Sequence, residues 1–147
     1  MKILICDQLN EKVLDELKTL GECFDISLSD NKDDEINENI VDSEIVVIRS
    51  GTVLNREILE LAKNIKIIAR CGVGVDNIDL EFAKTKKIAV TNAPSANIIS
   101  VVELTSSLIL NAARKIPQAD LSLKNGKWER ASFMGIELFG KQLGIVG

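Results

Sequence analysis

Short apolar runs recur through the first two-thirds of the chain, and each is separated from the next by a stretch with helical periodicity. The runs fall at 3–6, 23–28, 44–48, 65–69 and 88–91. They are continuous rather than alternating, which is the pattern of strands buried on both faces. Between them lie helical segments at 10–20, 33–39, 55–63 and 79–86. In the first, Val13, Leu14, Leu17 and Leu20 share a stripe, Asn10 suits the N-cap and Gly21 the position after the last turn. Asn55 caps a helix expected to bury Ile58, Leu59 and Leu61. Strand and helix in strict rotation predict an α/β fold, a flavodoxin-like doubly wound parallel sheet, over residues 1–95.

The rhythm changes after Pro94. From Ile98 to Ile116 the residues are apolar nearly all round, so this helix is expected to lie buried between two layers. Ser100 and Glu103 have the spacing of a capping box. Residues 117–141 have weak periodicity and contain Asn125-Gly126, a turn signal, so a long connecting arm with one helical patch is expected. Gln142-Leu143-Gly144-Ile145-Val146-Gly147 begins like another buried strand. The division expected is a ligand-binding domain over 1–95, then over 96–147 an interdomain helix, an arm and the opening of a second, truncated domain.

Composition narrows the chemistry. The 147 residues carry a net charge of −4 with only 3% aromatics, so the core is aliphatic and no basic patch invites nucleic acid. Ser100, Glu103, Thr105, Asn111 and Arg114 interrupt the longest apolar stretch, which argues against a membrane span. Cys6, Cys23 and Cys71 follow no metal-ligand spacing and suit a reducing, cytoplasmic setting. No leader is expected ahead of the first strand. The chain contains no histidine, the commonest proton relay near neutral pH.

Candidate binding residues gather after the strands. Arg49-Ser50-Gly51-Thr52 follows the third run and Arg70-Cys71-Gly72-Val73-Gly74 the fourth. In open α/β sheets ligands bind at the strands' carboxyl ends. A guanidinium holds a carboxylate or phosphate in two-pronged fashion, and glycines let backbone N–H groups approach an anion. Against this stands a solvated loop with surface ion pairs, but paired placement favours one shared anion. Gly72-Val73-Gly74 lacks the third glycine of a dinucleotide fingerprint. Asp76 and Asp79 read as helix-start residues. Asn92 and Asn97 offer amides that donate and accept, or else cap a helix. Asp7 ends the first strand as in phosphoryl-accepting receiver domains, but Arg49 and Ser50 stand where such a domain needs a second acid. Cys71 beside Arg70 reads as a turn-packing residue more readily than as an activated thiolate.

Taken in order, Val47-Ile48-Arg49-Ser50, Gly72-Val73-Gly74-Val75-Asp76-Asn77-Ile78-Asp79, Asn92-Ala93-Pro94 and Ser100-Val101-Val102-Glu103 resemble the D-isomer-specific 2-hydroxyacid dehydrogenases. The tail, Gly126-Lys127-Trp128-Glu129-Arg130 through Gly140-Lys141-Gln142-Leu143-Gly144-Ile145-Val146-Gly147, resembles the branch whose substrate is phosphorylated. The resemblance spans essentially the whole chain. It implies NAD-dependent hydride transfer at C2 of a 2-hydroxy acid bound between two domains. It implies that Arg49 and Ser50 hold a substrate phosphate, that Arg70 adds positive charge, and that Gly72 and Val73 offer amides to the carboxylate. Asn97 would hydrogen-bond the substrate. Val73 would border the nicotinamide, and Gly147 would be the first glycine of the dinucleotide loop. The arm around Trp128 would clasp a second subunit in a homo-oligomer. No catalytic residue and no metal ligand is expected in this chain, so it should be inactive alone. Two other readings stay open: a family member acting on hydroxypyruvate or glyoxylate, and a non-catalytic anion-binding module.

Overall fold

The computed structural model describes residues 1–146, so Gly147 lies outside the described residues. Two compact units divide the chain, Met1–Asn97 and the segment from Ile98 onward.

In the first unit the strands are β1 (Lys2–Ile5), β2 (Glu22–Asp25), β3 (Ile45–Ile48), β4 (Ile67–Arg70) and β5 (Ala89–Asn92). All neighbours are parallel, in the order β2-β1-β3-β4-β5. This is the flavodoxin-like order, with its topological switch point between β1 and β3. Helices α1 (Glu11–Leu20), α2 (Lys32–Asn39), α3 (Arg56–Leu61) and α4 (Leu80–Thr85) connect the strands. Their starts are fixed locally. Asn10 accepts from the Lys12 amide, Asn55 from Ile58 and Asp79 from Phe82. Gly21 is extended rather than left-handed, so α1 does not end in the expected cap.

Why the sheet closes is visible in its side chains. Successive residues point to opposite faces; one face is covered by α2, α3 and α4, the other by α1 around β1 and β3, with Ile67 of β4 and most of β5 left exposed. Leu4, Val46, Ile48 and Ile68 join Leu54, Leu59 and Ile40 in the larger core, while Ile3, Ile5 and Val47 pack on the other face against Leu14 and Leu17. Burying one such aliphatic side chain is worth about 1.5–3 kcal/mol. In α3, Leu59 is buried and Ile58 half-buried, but Leu61 stands exposed, contrary to the pattern expected of that helix.

The second unit contains α5 (Ile98–Arg114), α6 (Ile116–Lys124) and a 3-10 turn at Arg130–Phe133. Helix α5 forms as expected but is not buried within this chain: Ile99 is 69% exposed and Leu104 62%. It begins at Ile98, which places Ser100 inside the helix and removes the expected capping box. Asn125-Gly126 does end a helix. Gly126 takes φ +75, its N–H donates to the Leu123 carbonyl, and the Lys127 N–H donates to that of Ser122. That pair of bonds is a Schellman motif. Residues 142–146 form no strand, with Ile145 86% exposed. A strand needs a neighbour for its backbone groups, and none of the described residues supplies one.

Candidate functional site

Parallel strands deliver all their carboxyl ends to one edge of the sheet, and the loops leaving β1, β3, β4 and β5 meet there. Asp7 follows β1 at the switch point. Its carboxylate accepts from Lys32 Nζ at 2.7 Å and from the Arg49 backbone N–H at 2.6 Å. Burial pushes the Asp7 carboxyl up, but these donors outweigh it and hold the group below its ordinary value. Asp7 is thus a strut that fixes the start of the β3–α3 loop.

Arg49 leaves that strut exposed, with Nη1 3.4 Å from the Gln8 carbonyl. Ser50 follows it, also exposed. One strand over, Arg70 is the last residue of β4 and pairs in register with Ile48. The Cys71 N–H donates to the Ile48 carbonyl at 2.8 Å. Both arginines therefore stand on the same rim. The Cys71 thiol between them is pushed up by burial, against the opposing pull of the Arg49 and Arg70 charges. That direction is opposite to the lowered value of an activated nucleophile. Cys6, deeper under the rim, is pushed up to about 12 by burial, with Asp7 adding to it.

The Arg70 guanidinium lies across Gly72, in the space a Cβ would take, so a side chain there would push the end of this flexible arginine aside. Arg70 Nε is buried and has no hydrogen-bond partner. The Gly72 N–H turns inward to the Arg70 carbonyl at 2.9 Å, whereas among the described residues the Val73 N–H makes no backbone hydrogen bond. The turn is held from β5 as well: Ala93 N–H donates to Gly72 C=O at 2.9 Å, and Asn92 Nδ2 to Val73 C=O at 2.6 Å. Asn92 is thus a brace for the turn. Asn97 sits exposed beyond this rim, and among the described residues no hydrogen bond ties its amide to it. The candidate at Gly147 lies outside the described residues.

One residue escaped the sequence reading as a site element. Asn77 Nδ2 donates to the Arg49 carbonyl at 2.7 Å and to the Thr52 carbonyl at 2.6 Å, tying the β3–α3 loop to the β4–α4 loop. Its partners lie far upstream and carry no periodic signal. The one cue was a carboxamide following a glycine-rich turn, which names no partner.

What these residues make is a cationic rim with main-chain amides, Val73 among them, that no backbone carbonyl among the described residues engages, suited to a small acid bearing more than one negative group. Among the described residues no cluster of histidine, cysteine, aspartate or glutamate has the makings of a metal site, and no helix is long and apolar enough to cross a membrane.

Known proteins sharpen this picture. Residues 3–138 match the catalytic-domain model of the D-isomer specific 2-hydroxyacid dehydrogenases, and the chain belongs to that family. It is 50% identical over 147 residues to D-3-phosphoglycerate dehydrogenase of Methanocaldococcus jannaschii, covering all of this chain and 28% of that protein. It is 48% identical over 114 residues to hydroxypyruvate reductase of Thermotoga maritima, covering 78% of this chain and 37% of that one. The NAD-bound 3-phosphoglycerate dehydrogenase of Entamoeba histolytica superposes with a TM-score of 0.65 at 27% identity, over 78% of this chain and 40% of that one. The chain thus spans little more than a quarter of the length of the phosphoglycerate dehydrogenase from Methanocaldococcus jannaschii.

Proposed function

We propose that this chain supplies the substrate-binding part of a D-3-phosphoglycerate dehydrogenase, the enzyme that oxidises 3-phosphoglycerate to 3-phosphohydroxypyruvate in the first step of serine biosynthesis. The observation that carries this reading is the placement of Arg49 and Arg70 on one rim, at the ends of adjacent parallel strands. Arg49 and Ser50 take the phosphate. Arg70, with its unpartnered Nε, adds charge between the substrate's two acidic ends. The Val73 N–H takes the carboxylate; the Gly72 N–H joins it only by releasing the Arg70 carbonyl. Asn97 hydrogen-bonds the substrate.

NAD accepts the hydride in such an enzyme. The described residues do not fit it, because 142–146 build no strand to carry a dinucleotide loop. Only Val73 is assigned to the cofactor, at the border of the nicotinamide, with Gly147 as the first glycine of the loop. The chain has no histidine, and no proton or hydride step is assigned to its residues. The exposed Trp128 and Phe139 fit an arm that clasps a second copy in a homo-oligomer. Three free cysteines fit a reducing cytoplasm.

Calorimetric titration of the chain with 3-phosphoglycerate and with glycerate tests the reading. The phosphate ester binds more tightly, and Arg49→Ala costs it about 1–3 kcal/mol while leaving glycerate unchanged. Equal affinity for both ligands would favour the second reading, an unphosphorylated substrate, which the likeness to hydroxypyruvate reductase supports. Mixed with NAD and 3-phosphoglycerate, the chain alone gives no NADH. Steady NADH formation by a clean preparation would overturn the division of labour described above.

A further inference from the structure

We infer that Asn77 is the positioning residue that fixes the span between the two anion grips, and so helps select a substrate charged at both ends over one charged at a single end. The inference rests on the proposed reading of the site.

The geometry leaves little latitude in how Asn77 is used. Its amide faces two carbonyl oxygens, Arg49 O at 2.7 Å and Thr52 O at 2.6 Å. A carbonyl oxygen cannot face two others at that range, so the NH2 group points at them and both of its hydrogens are donated. The other atom, Oδ1, is buried without a partner. A buried amide that forgoes its acceptor bonds in order to keep both donors is held there by those donors. The backbone reinforces the tie: the Leu54 N–H donates to Asn77 C=O at 2.8 Å, and the Asp79 N–H to Leu54 C=O at 3.0 Å.

The consequence lies in what each loop carries. Arg49, whose own carbonyl Asn77 grips, stands on the β3–α3 loop. Gly72 and Val73 stand on the loop that contains Asn77. Asp7 holds the Arg49 N–H from one side and Asn77 holds its C=O from the other. The Arg49 main chain is thereby clamped, and Asn77 adds a side-chain tie to the backbone bonds that set its distance from the Val73 N–H. A ligand gripped at one end does not sense that distance. A ligand gripped at both ends loses binding when the distance wanders, because each end must then be ordered separately.

Asn77→Ala removes the side-chain tie and keeps the backbone bridge, so the fold is expected to persist; Asn77→Ser, a smaller lesion that keeps one donor, guards against a variant that does not fold. Two measurements are made on the full chain. In calorimetric titration, Asn77→Ala weakens 3-phosphoglycerate by about tenfold, roughly one charge-assisted contact, but inorganic phosphate by less than about twofold. Equal loss for both probes, or none, overturns the inference. In hydrogen exchange, the Arg49 and Leu54 amides exchange faster in the variant while those of β1 and β3 do not. Unchanged exchange at Arg49 and Leu54 overturns the inference without reference to any ligand. If the parent chain prefers 3-phosphoglycerate no more than phosphate, the proposed function fails, and the exchange result alone decides whether Asn77 holds the loops.

Discussion

The two units of this chain are built from similar aliphatic residues, and those residues meet opposite fates. In the first unit Leu4, Val46, Ile48 and Ile68 are fully buried, because the face of the sheet they share is covered by α2, α3 and α4 of the same unit. In the second unit Leu104, Leu108 and Leu110 of α5 are all more than half exposed, and so are Leu121 and Leu123 of α6. An apolar sequence specifies that a surface be covered; it does not specify that the covering come from the same stretch of chain. The difference also locates chemistry. Arg49 and Arg70 sit on the closed unit, at or just past the ends of adjacent strands, and the open unit presents apolar helix surface.

The largest expected effect tests that contrast directly. Truncating Leu4 or Ile68 to Ala should cost about 2–5 kcal/mol of unfolding free energy, the usual range for a cavity in a packed core. Truncating Leu104 or Leu108 should change stability by no more than about 0.5 kcal/mol, as for exposed positions generally. Urea unfolding followed by circular dichroism measures both. A cost at Leu108 comparable to that at Leu4 would mean that α5 is covered in solution, and sedimentation would then show self-association.

The same contrast explains what could be read from the sequence. The order of strands and helices in the first unit was legible because strands buried on both faces write themselves as unbroken runs, and because Asn10, Asn55 and Asp79 mark helix starts in local chemistry. Strand edges were less so. Ile65 looks like the start of β4, but it is buried ahead of the strand, which runs Ile67–Arg70 and takes in Arg70 itself. The arginines and glycines of the rim could be placed at strand ends from the run pattern alone. Asn77 could not be given its role, because its partners depend on how two loops fold over one another. Similarly, the inward turn of the Gly72 N–H is a matter of one residue's backbone angles. In the second unit, the helical content and the Asn125-Gly126 turn were legible, while the exposure of α5 was not: periodicity reports that a helix is apolar, never where its cover comes from.

A middle-sized pair of effects compares local signals in the two units. Asn55→Ala removes the acceptor for the Ile58 N–H and should cost about 1 kcal/mol. Gly126→Ala forces a Cβ into the left-handed region at φ +75 and should cost roughly 1–2 kcal/mol of local helix stability. The glycine change should speed exchange at the Asn125, Gly126 and Lys127 amides without shifting the unfolding midpoint of the sheet. The cap change will shift that midpoint. A shift of the sheet's midpoint on Gly126→Ala would show that the two units unfold together.

The smallest effect is a pH dependence confined to the closed unit. Asp7 has a folded pKa below its unfolded value of about 3.9, so in acid the unfolded chain binds the proton first. The stability it contributes is complete above that unfolded value and is lost as pH falls through the lower, folded one. Asp42 and Glu44 are shifted the same way, by Lys2 and Lys66 respectively, but those pairs lie at the surface and salt screens them. Asp7 differs in that one of its partners is the Arg49 backbone N–H, a hydrogen bond that salt does not screen in the same way. In high salt, then, the acid limb of the stability profile should belong mainly to Asp7, and Asp7→Asn should flatten it. Because the same carboxylate holds the loop that carries Arg49, hydrogen exchange at the Arg49 amide should quicken along that limb before the β1 and β3 amides respond. An acid limb that stays equally steep in Asp7→Asn at high salt would remove Asp7 from the role of strut, and with it one of the two holds on the Arg49 main chain.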